Sequence, residues 1–374
     1  MVTPDIALPD ELVPLDGRFG SGPSKVREHA VVSLAQIAPQ YLGTSHRKDG
    51  VRSVVHRIRA GIADLFALPE GYEVLLGNGG STLFWDAAAF GLVEQRSSHL
   101  VLGEFSSKFA AVTRGAPHLG EPEVLETEPG AAPQTLDTVA GDVYAYPHNE
   151  TSTGVVVPLH RPDAGDALVV VDGTSAAGGT RIAPEKFDVY YFAPQKCFGG
   201  DGGMWLACFS SAAIERVERI RASGRWTPPA LDLAIALDNS RQDQTYNTPA
   251  LATLYLVANQ IEWMQEHGGL EWAAGRCDTS AAQLYDWAEA RPWATPFVKD
   301  PAYRSPVTAT IDFDQKVDAA AIAAVLRANG VVDVEPYRKL GRNQLRIACF
   351  PAIDPEDVAV LTRAIDFIVA RLSP

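Results

Sequence analysis

Six short apolar runs constrain this chain more than any other feature: YEVLLG (72–77), HLVLG (99–103), DVYAY (142–146), ALVVVD (167–172), VYYFA (189–193) and MWLACF (204–209). Most are too short to be helices, and they alternate with amphipathic segments, the pattern of a mostly parallel sheet covered by helices. Between two of them, VRSVVHRIRAGIADLF sets Val51, Val54, Val55, Ile58, Ile62 and Leu65 at helical spacing. Arg52, His56, Arg57 and Arg59 fall largely on the other side, so a half-buried helix is expected. After about residue 270 the texture changes to long helical stretches, with β-prone VTATIDF (307–313) and QLRIACF (344–350), which suggests a smaller α+β domain. The expected fold class is α/β.

At 374 residues the chain is long for one domain, and 46% hydrophobic residues leave ample material for a buried core. The formal charge of −14 argues against a nucleic-acid partner, which draws on clustered Lys and Arg. No apolar run has the length of a membrane span, and the acidic, proline-punctuated MVTPDIALPDELVPLDG is unlike a signal peptide, so a cytoplasmic location without membrane attachment is expected. Cys197, Cys208, Cys277 and Cys349 lack paired spacing, which predicts four reduced thiols and no metal site.

Several of the runs end in residues that do not look like packing: LLGNGGST, LGEFSSKF, AYPHNETSTG, VVVDGTSA and YYFAPQK. In open α/β sheets ligands bind beyond the carboxyl ends of strands, so these ends suggest one shared site. In GNGGSTLFWD, glycines precede Ser81 and Thr82 at an expected helix start. Free backbone N–H groups and the helix dipole suit a phosphate there, although a plain capped helix reads as well from the residues alone. Asp172 follows an apolar run and needs a partner, or simply begins an Asx-turn in DGTS. Lys196 stands between an apolar run and the glycines of GGDGG. A lysine in an apolar, electropositive pocket has a lowered pKa, and its neutral amine attacks carbonyls to make Schiff bases. Pyridoxal 5'-phosphate uses all three features: its aldehyde suits Lys196, its ring nitrogen Asp172 and its phosphate the GGST turn, with Phe105 stacked on the ring face.

The ordered motifs RFGSGPSKV, GTSHRKDG, GNGGSTLFWD, HNETSTGV, VVDGTSA, FAPQKCFGGDGG and YNTPALATLYL resemble those of the phosphoserine aminotransferases, in their actinobacterial branch, from about residue 18 to the end. The resemblance implies a class V, fold-type I pyridoxal-phosphate transferase. It would have a large α/β/α domain over 18–268 and a small domain made of 1–17 and 269–374. It implies that Lys196 carries the cofactor beside Gln195, that Asp172 binds the ring nitrogen, that Thr151 contacts the cofactor, and that Asn247 and Thr248 reach the cofactor phosphate of the neighbouring subunit in a homodimer. The implied reaction moves an amino group between L-glutamate and 3-phosphohydroxypyruvate, giving 2-oxoglutarate and O-phospho-L-serine for serine biosynthesis. A role with 4-phosphohydroxy-L-threonine in vitamin B6 biosynthesis is a further possibility of the family.

The chain departs from the wider family at Ser81, where many members have arginine, at Phe105, where many have tryptophan, and at Tyr337, where many have histidine. Recognition of the substrate's distal anion must therefore shift to other cations. His46 and Arg47 of SHRK are the favoured pair. Arg338 of YRKLGR is a further candidate, while Lys48, Lys339 and Arg342 read as solvated charge. Arg346 lies inside QLRIACF, where it would be costly unless it holds an anion such as the substrate carboxylate; an outward-facing strand arginine is the alternative. A cysteine desulfurase or an alanine-glyoxylate-type aminotransferase are the competing readings. The first needs a cysteine on a mobile loop, and neither Cys349 nor Cys277 fits that place.

Overall fold

The computed structural model describes residues 6–134, 139–163 and 165–372. Residues 1–5 and 373–374 of the expected small domain lie outside the described residues. The large sheet is built from β1 (Glu73–Asn78), β2 (Ser97–Val101), β3 (Glu123–Glu126), β4 (Val143–Pro147), β7 (Leu168–Asp172), β8 (Val189–Phe192) and β9 (Met204–Phe209), and the short pair β5 (Asn149–Glu150) and β6 (Val155–Val156) forms a separate hairpin that follows β4. Its strand order is β1-β9-β8-β7-β4-β2-β3, and β9 alone runs antiparallel to its neighbours. All six expected strands are present, with bounds within two residues of those expected. The seventh, β3, is half exposed at the sheet edge and so lacks an apolar run to announce it.

Alternate side chains of these strands enter two cores. Val169, Val171, Tyr190 and Phe192 face α2 (Asp49–Leu65) and α7 (Leu251–Glu266), while Val170, Val189, Tyr191 and Ala207 face α3 (Ser81–Gly91), α4 (Glu104–Gly115), α5 (Ser211–Ala222) and α6 (Leu233–Ser240). Because both faces are covered, the central strands are apolar throughout rather than alternating, which is why they stand out in the sequence. The helix α2 buries Val51, Val54, Val55, Ile58, Ile62 and Leu65, as its spacing predicts. The helix α1 (Glu28–Tyr41) packs on α7.

The remaining elements build a third core around a three-stranded antiparallel sheet of β10 (Ala294–Pro296), β11 (Thr308–Phe313) and β12 (Gln344–Ala348). It is covered by α8 (Gly269–Glu289), α9 (Ala319–Ala328) and α10 (Pro355–Leu372). This part of the chain meets the turn between β5 and β6, where Thr310 Oγ1 donates to Thr153 O at 2.9 Å and the Ser305 N–H donates to Gly154 O at 3.0 Å. Among the described residues no helix is long and apolar enough to cross a membrane, and no cluster of metal-ligating side chains occurs. All four cysteines are unpaired and buried.

Candidate active site

The carboxyl ends of β4, β7 and β8 and the start of α3 converge on a cavity of about 220 Å³. Of the residues singled out in the sequence, Ser81, Thr82, Phe105, Thr151, Asp172, Gln195 and Lys196 line it. Gly22, Gly80, Trp85, Pro147, Asn149 and Thr174 complete the wall without having been singled out individually. Most of these lie within motifs already quoted, so adjacency to a marked residue was the available signal.

Lys196 is 8% exposed, and its Nζ donates to Ser21 O at 2.5 Å and sits 5.8 Å from the Phe105 ring centroid. Burial pushes its pKa down to about 8, the Arg346 charge adds to that push, and Asp172 opposes it. Near-neutral water therefore leaves an appreciable fraction of free amine. Lys196 and Asp172 share the cavity without forming an ion pair.

Asp172 ends β7 and pairs in register with Tyr191 on the parallel neighbour β8. Its Oδ1 accepts the Thr174 N–H at 2.8 Å and its Oδ2 accepts the Tyr191 hydroxyl at 2.9 Å. The Asx-turn is thus real and occupies one oxygen only. Burial raises the pKa of this carboxyl, and the Thr174 and Tyr191 hydrogen bonds work against that rise.

The start of α3 has Gly80 at the N-cap and no side chain capping it. Ser81 Oγ instead pairs with Thr174 Oγ1 at 2.6 Å, which corrects the capped-helix alternative and leaves the uncapped helix start, Gly80, Ser81 and Thr82, in the cavity wall. On the opposite wall Thr151 donates to Ser175 Oγ at 2.8 Å. The buried acceptors Asn149 Oδ1 and Gln195 Oε1 have no donor.

The remaining candidates are placed differently. Arg346 lies on β12 opposite Thr310, partly buried rather than outward-facing; its Nη1 donates to Thr151 O at 3.3 Å and its Nε is buried without a partner. The Tyr337 ring lies 5.5 Å from the Arg346 guanidinium carbon and 5.8 Å from the Phe105 ring. Arg338 is exposed and does not line the cavity. Lys339 pairs with Glu104, and Arg342 pairs with Asp312.

His46, Arg47, Asn247 and Thr248 are all absent from the cavity wall, and they form a separate group. Arg47 donates to Gln244 Oε1 at 2.6 Å and to Tyr246 O at 3.4 Å, while His46 Nδ1 lies 3.1 Å from Thr248 Oγ1. Burial and the neighbouring Arg47 lower the His46 pKa.

The comparisons agree with one another. Residues 19–334 match the family model described as aminotransferase class-V. The chain is 58% identical over 366 residues to the phosphoserine aminotransferase of Rhodococcus jostii (strain RHA1), covering 98% of each chain. It is 56% identical over 372 residues to the putative phosphoserine aminotransferase of Mycobacterium leprae (strain TN), covering 99% of each. Among solved structures, a phosphoserine aminotransferase from Cytophaga hutchinsonii superposes with a TM-score of 0.83 at 24% identity, over 94% of this chain and 99% of that one. The pyridoxal-phosphate-bound phosphoserine aminotransferase from Trichomonas vaginalis gives 0.80 at 20% identity, over 94% and 99%. These two structures speak to the fold, and the family model and the full-length relatives to membership. The chain belongs to the class-V aminotransferase family, in its phosphoserine aminotransferase branch.

Proposed function

We propose that the protein is a pyridoxal-phosphate-dependent phosphoserine aminotransferase that exchanges an amino group between L-glutamate and 3-phosphohydroxypyruvate. The products would be 2-oxoglutarate and O-phospho-L-serine, in the cytoplasmic route to serine. The observation that carries this reading is the buried Lys196 amine, with a pKa of about 8, in one cavity with Asp172, Phe105 and the uncapped start of α3. The relatives' names point the same way. No corresponding observation favours a cysteine desulfurase: burial pushes the Cys349 and Cys277 thiols up, away from the thiolate that such chemistry needs.

The residues present fit the cofactor. Gly22 leaves room for the Lys196 amine, two wall acceptors lack donors, and the uncapped helix start suits a dianion. Bound there, pyridoxal phosphate supplies an aldehyde that captures amines and a ring that takes up electrons from the substrate Cα. Lys196 Nζ would hold the aldehyde and, once displaced, serve as the base that takes the proton from the amino acid's Cα and as the acid that returns it. Asp172 would hold the ring nitrogen in its protonated form, Ser81 and Thr82 the phosphate, Phe105 one ring face, and Gln195 and Thr151 the ring edge. Arg346 would take the α-carboxylate of the substrate. Its unpartnered Nε marks a charge that awaits an anion.

The group of His46, Arg47, Asn247 and Thr248 would serve the neighbouring subunit of a homodimer, Asn247 and Thr248 at the cofactor phosphate, His46 and Arg47 at the distal anion of the substrate. Its separation from the cavity of its own chain supports that assignment. Arg338 would be a second contact for the same anion. We also propose the division into a cofactor domain of 18–268 and a small domain of 1–17 with 269–374.

The test is the visible spectrum of the purified protein with and without glutamate, followed by transamination of 3-phosphohydroxypyruvate. A yellow protein whose absorbance shifts with glutamate is expected, and Lys196→Ala should lose turnover by about 10⁴-fold or more while staying folded. A colourless wild type with no transamination overturns the proposal.

A further inference from the structure

Tyr191 is 0% exposed and packs face to face on Phe84, with ring centroids 4.4 Å apart, and edge-on to Phe109 at 6.1 Å. Its hydroxyl lies between two groups: the Trp85 indole Nε1–H donates to it at 2.8 Å, and it donates to Asp172 Oδ2 at 2.9 Å. The direction of this chain is forced by the groups themselves. An indole nitrogen can only donate, so it takes up a lone pair of the phenol oxygen, and the phenol proton then points to the carboxylate. The second carboxylate oxygen already accepts the Thr174 backbone N–H, another group that only donates. Among the described residues Asp172 has no ion pair. Its hydrogen bonds thus come from neutral donors only, and they leave it lone pairs for one donor arriving from the cavity.

We propose that Trp85 and Tyr191 form a one-way donor relay that holds Asp172 as an oriented, ionised acceptor for a ring N–H, so that Tyr191 is a positioning residue for the ring nitrogen. The inference rests on the pyridoxal-phosphate reading above. It assigns to two core aromatic residues a part in setting which heteroaromatic ring the cavity prefers.

The test compares two ligands on the full-length dimer, pyridoxal 5'-phosphate and its carbocyclic analogue in which the ring nitrogen is replaced by carbon, with dissociation constants read from tryptophan fluorescence or equilibrium dialysis. Wild type should bind pyridoxal phosphate more tightly than the analogue. Tyr191→Phe keeps the ring packing and removes the hydroxyl, so it should weaken pyridoxal phosphate about 10- to 100-fold, the worth of one hydrogen bond to a charged group, and leave the analogue unchanged. Trp85→Phe keeps the phenol but frees it to turn; because Trp85 also lines the cavity, its readout is the ratio of the two dissociation constants, which should shift against pyridoxal phosphate by a smaller factor than in Tyr191→Phe. Equal losses for both ligands, or no loss for either, overturn the relay. A wild type that binds both ligands equally overturns the relay and leaves the cofactor reading standing, whereas a wild type that binds neither overturns both.

Discussion

A β-carbon built on Gly22 would lie 2.6 Å from Lys196 Nζ, and Gly22 has φ +125°, in the left-handed half of the map. The absence of a side chain at one loop position thus decides where the reactive amine rests, within reach of Ser21 O and over the edge of the cavity. Gly22→Ala should push the amine off this rest position and strain the backbone. The expected result is a loss of roughly 1 kcal/mol or more in stability, and slower capture of pyridoxal phosphate in a stopped-flow absorbance experiment. Unchanged capture kinetics would remove the role assigned to this glycine.

The lysine itself makes a prediction about pH. Its pKa is lowered from 10.5 to about 8 in the folded protein, so between those values the unfolded state binds the extra proton and stability rises with pH. Below about pH 8 both states are protonated and the cost of burying the charge is felt in full. Comparing cofactor-free wild type with Lys196→Met by denaturant unfolding isolates this group. The wild type should gain on the variant by on the order of 3 kcal/mol between pH 8 and 10.5, with little change between pH 6 and 7. A difference that stays level across the alkaline window would mean that the amine is not held in a depressed state.

Arg346 separates binding from folding. Its Nε is buried without a partner and burial lowers its pKa, so its charge is a burden to the free protein. Arg346→Met should leave unfolding stability unchanged or raised by about 1 kcal/mol. In steady-state kinetics the same variant should lose about 30- to 1,000-fold in kcat/KM for glutamate, as expected for a lost charge-assisted pair. It should also let the Lys196 pKa rise, because the Arg346 charge is one of the two influences that depress it. Loss of stability with intact kinetics would mark Arg346 as structural.

Arg47 tests the shared site. It is tied to Gln244 and Tyr246 of its own chain and does not line that chain's cavity. Arg47→Ala should weaken phosphoserine and glutamate together and spare alanine, which lacks a distal anion. Co-refolded Arg47→Ala and Lys196→Ala subunits, each nearly inactive alone, should recover about a quarter of wild-type activity. Half of the dimers are then mixed, and each mixed dimer holds one intact site only if Arg47 acts across the interface. Recovery no greater than the sum of the two parents places Arg47 in its own subunit's site or outside both.

The sequence by itself determined six of the seven strands of the large sheet, the α2 helix and the motif-bearing strand ends, because each depends on a local pattern: apolar runs buried on both faces, a 3.6-residue stripe, glycines before a helix start. It also placed Asp172, Lys196 and the GGST turn in one crevice, since parallel strands deliver their carboxyl ends to the same edge. It did not show what each group touches. Whether Arg346 faces in or out depends on its pairing with Thr310 across the small sheet, and Ser81 passes over the helix cap because Thr174, from a distant strand end, offers a nearer partner. Tyr191 reads in sequence as one more apolar strand residue. Only the register of β8 against β7 puts its hydroxyl on Asp172, and only the packing of α3 brings Trp85 behind it. A side chain's chemistry is local, but its hydrogen-bond partner is chosen by the distances that tertiary packing leaves, so the composition of the wall could be read from the chain and its wiring could not.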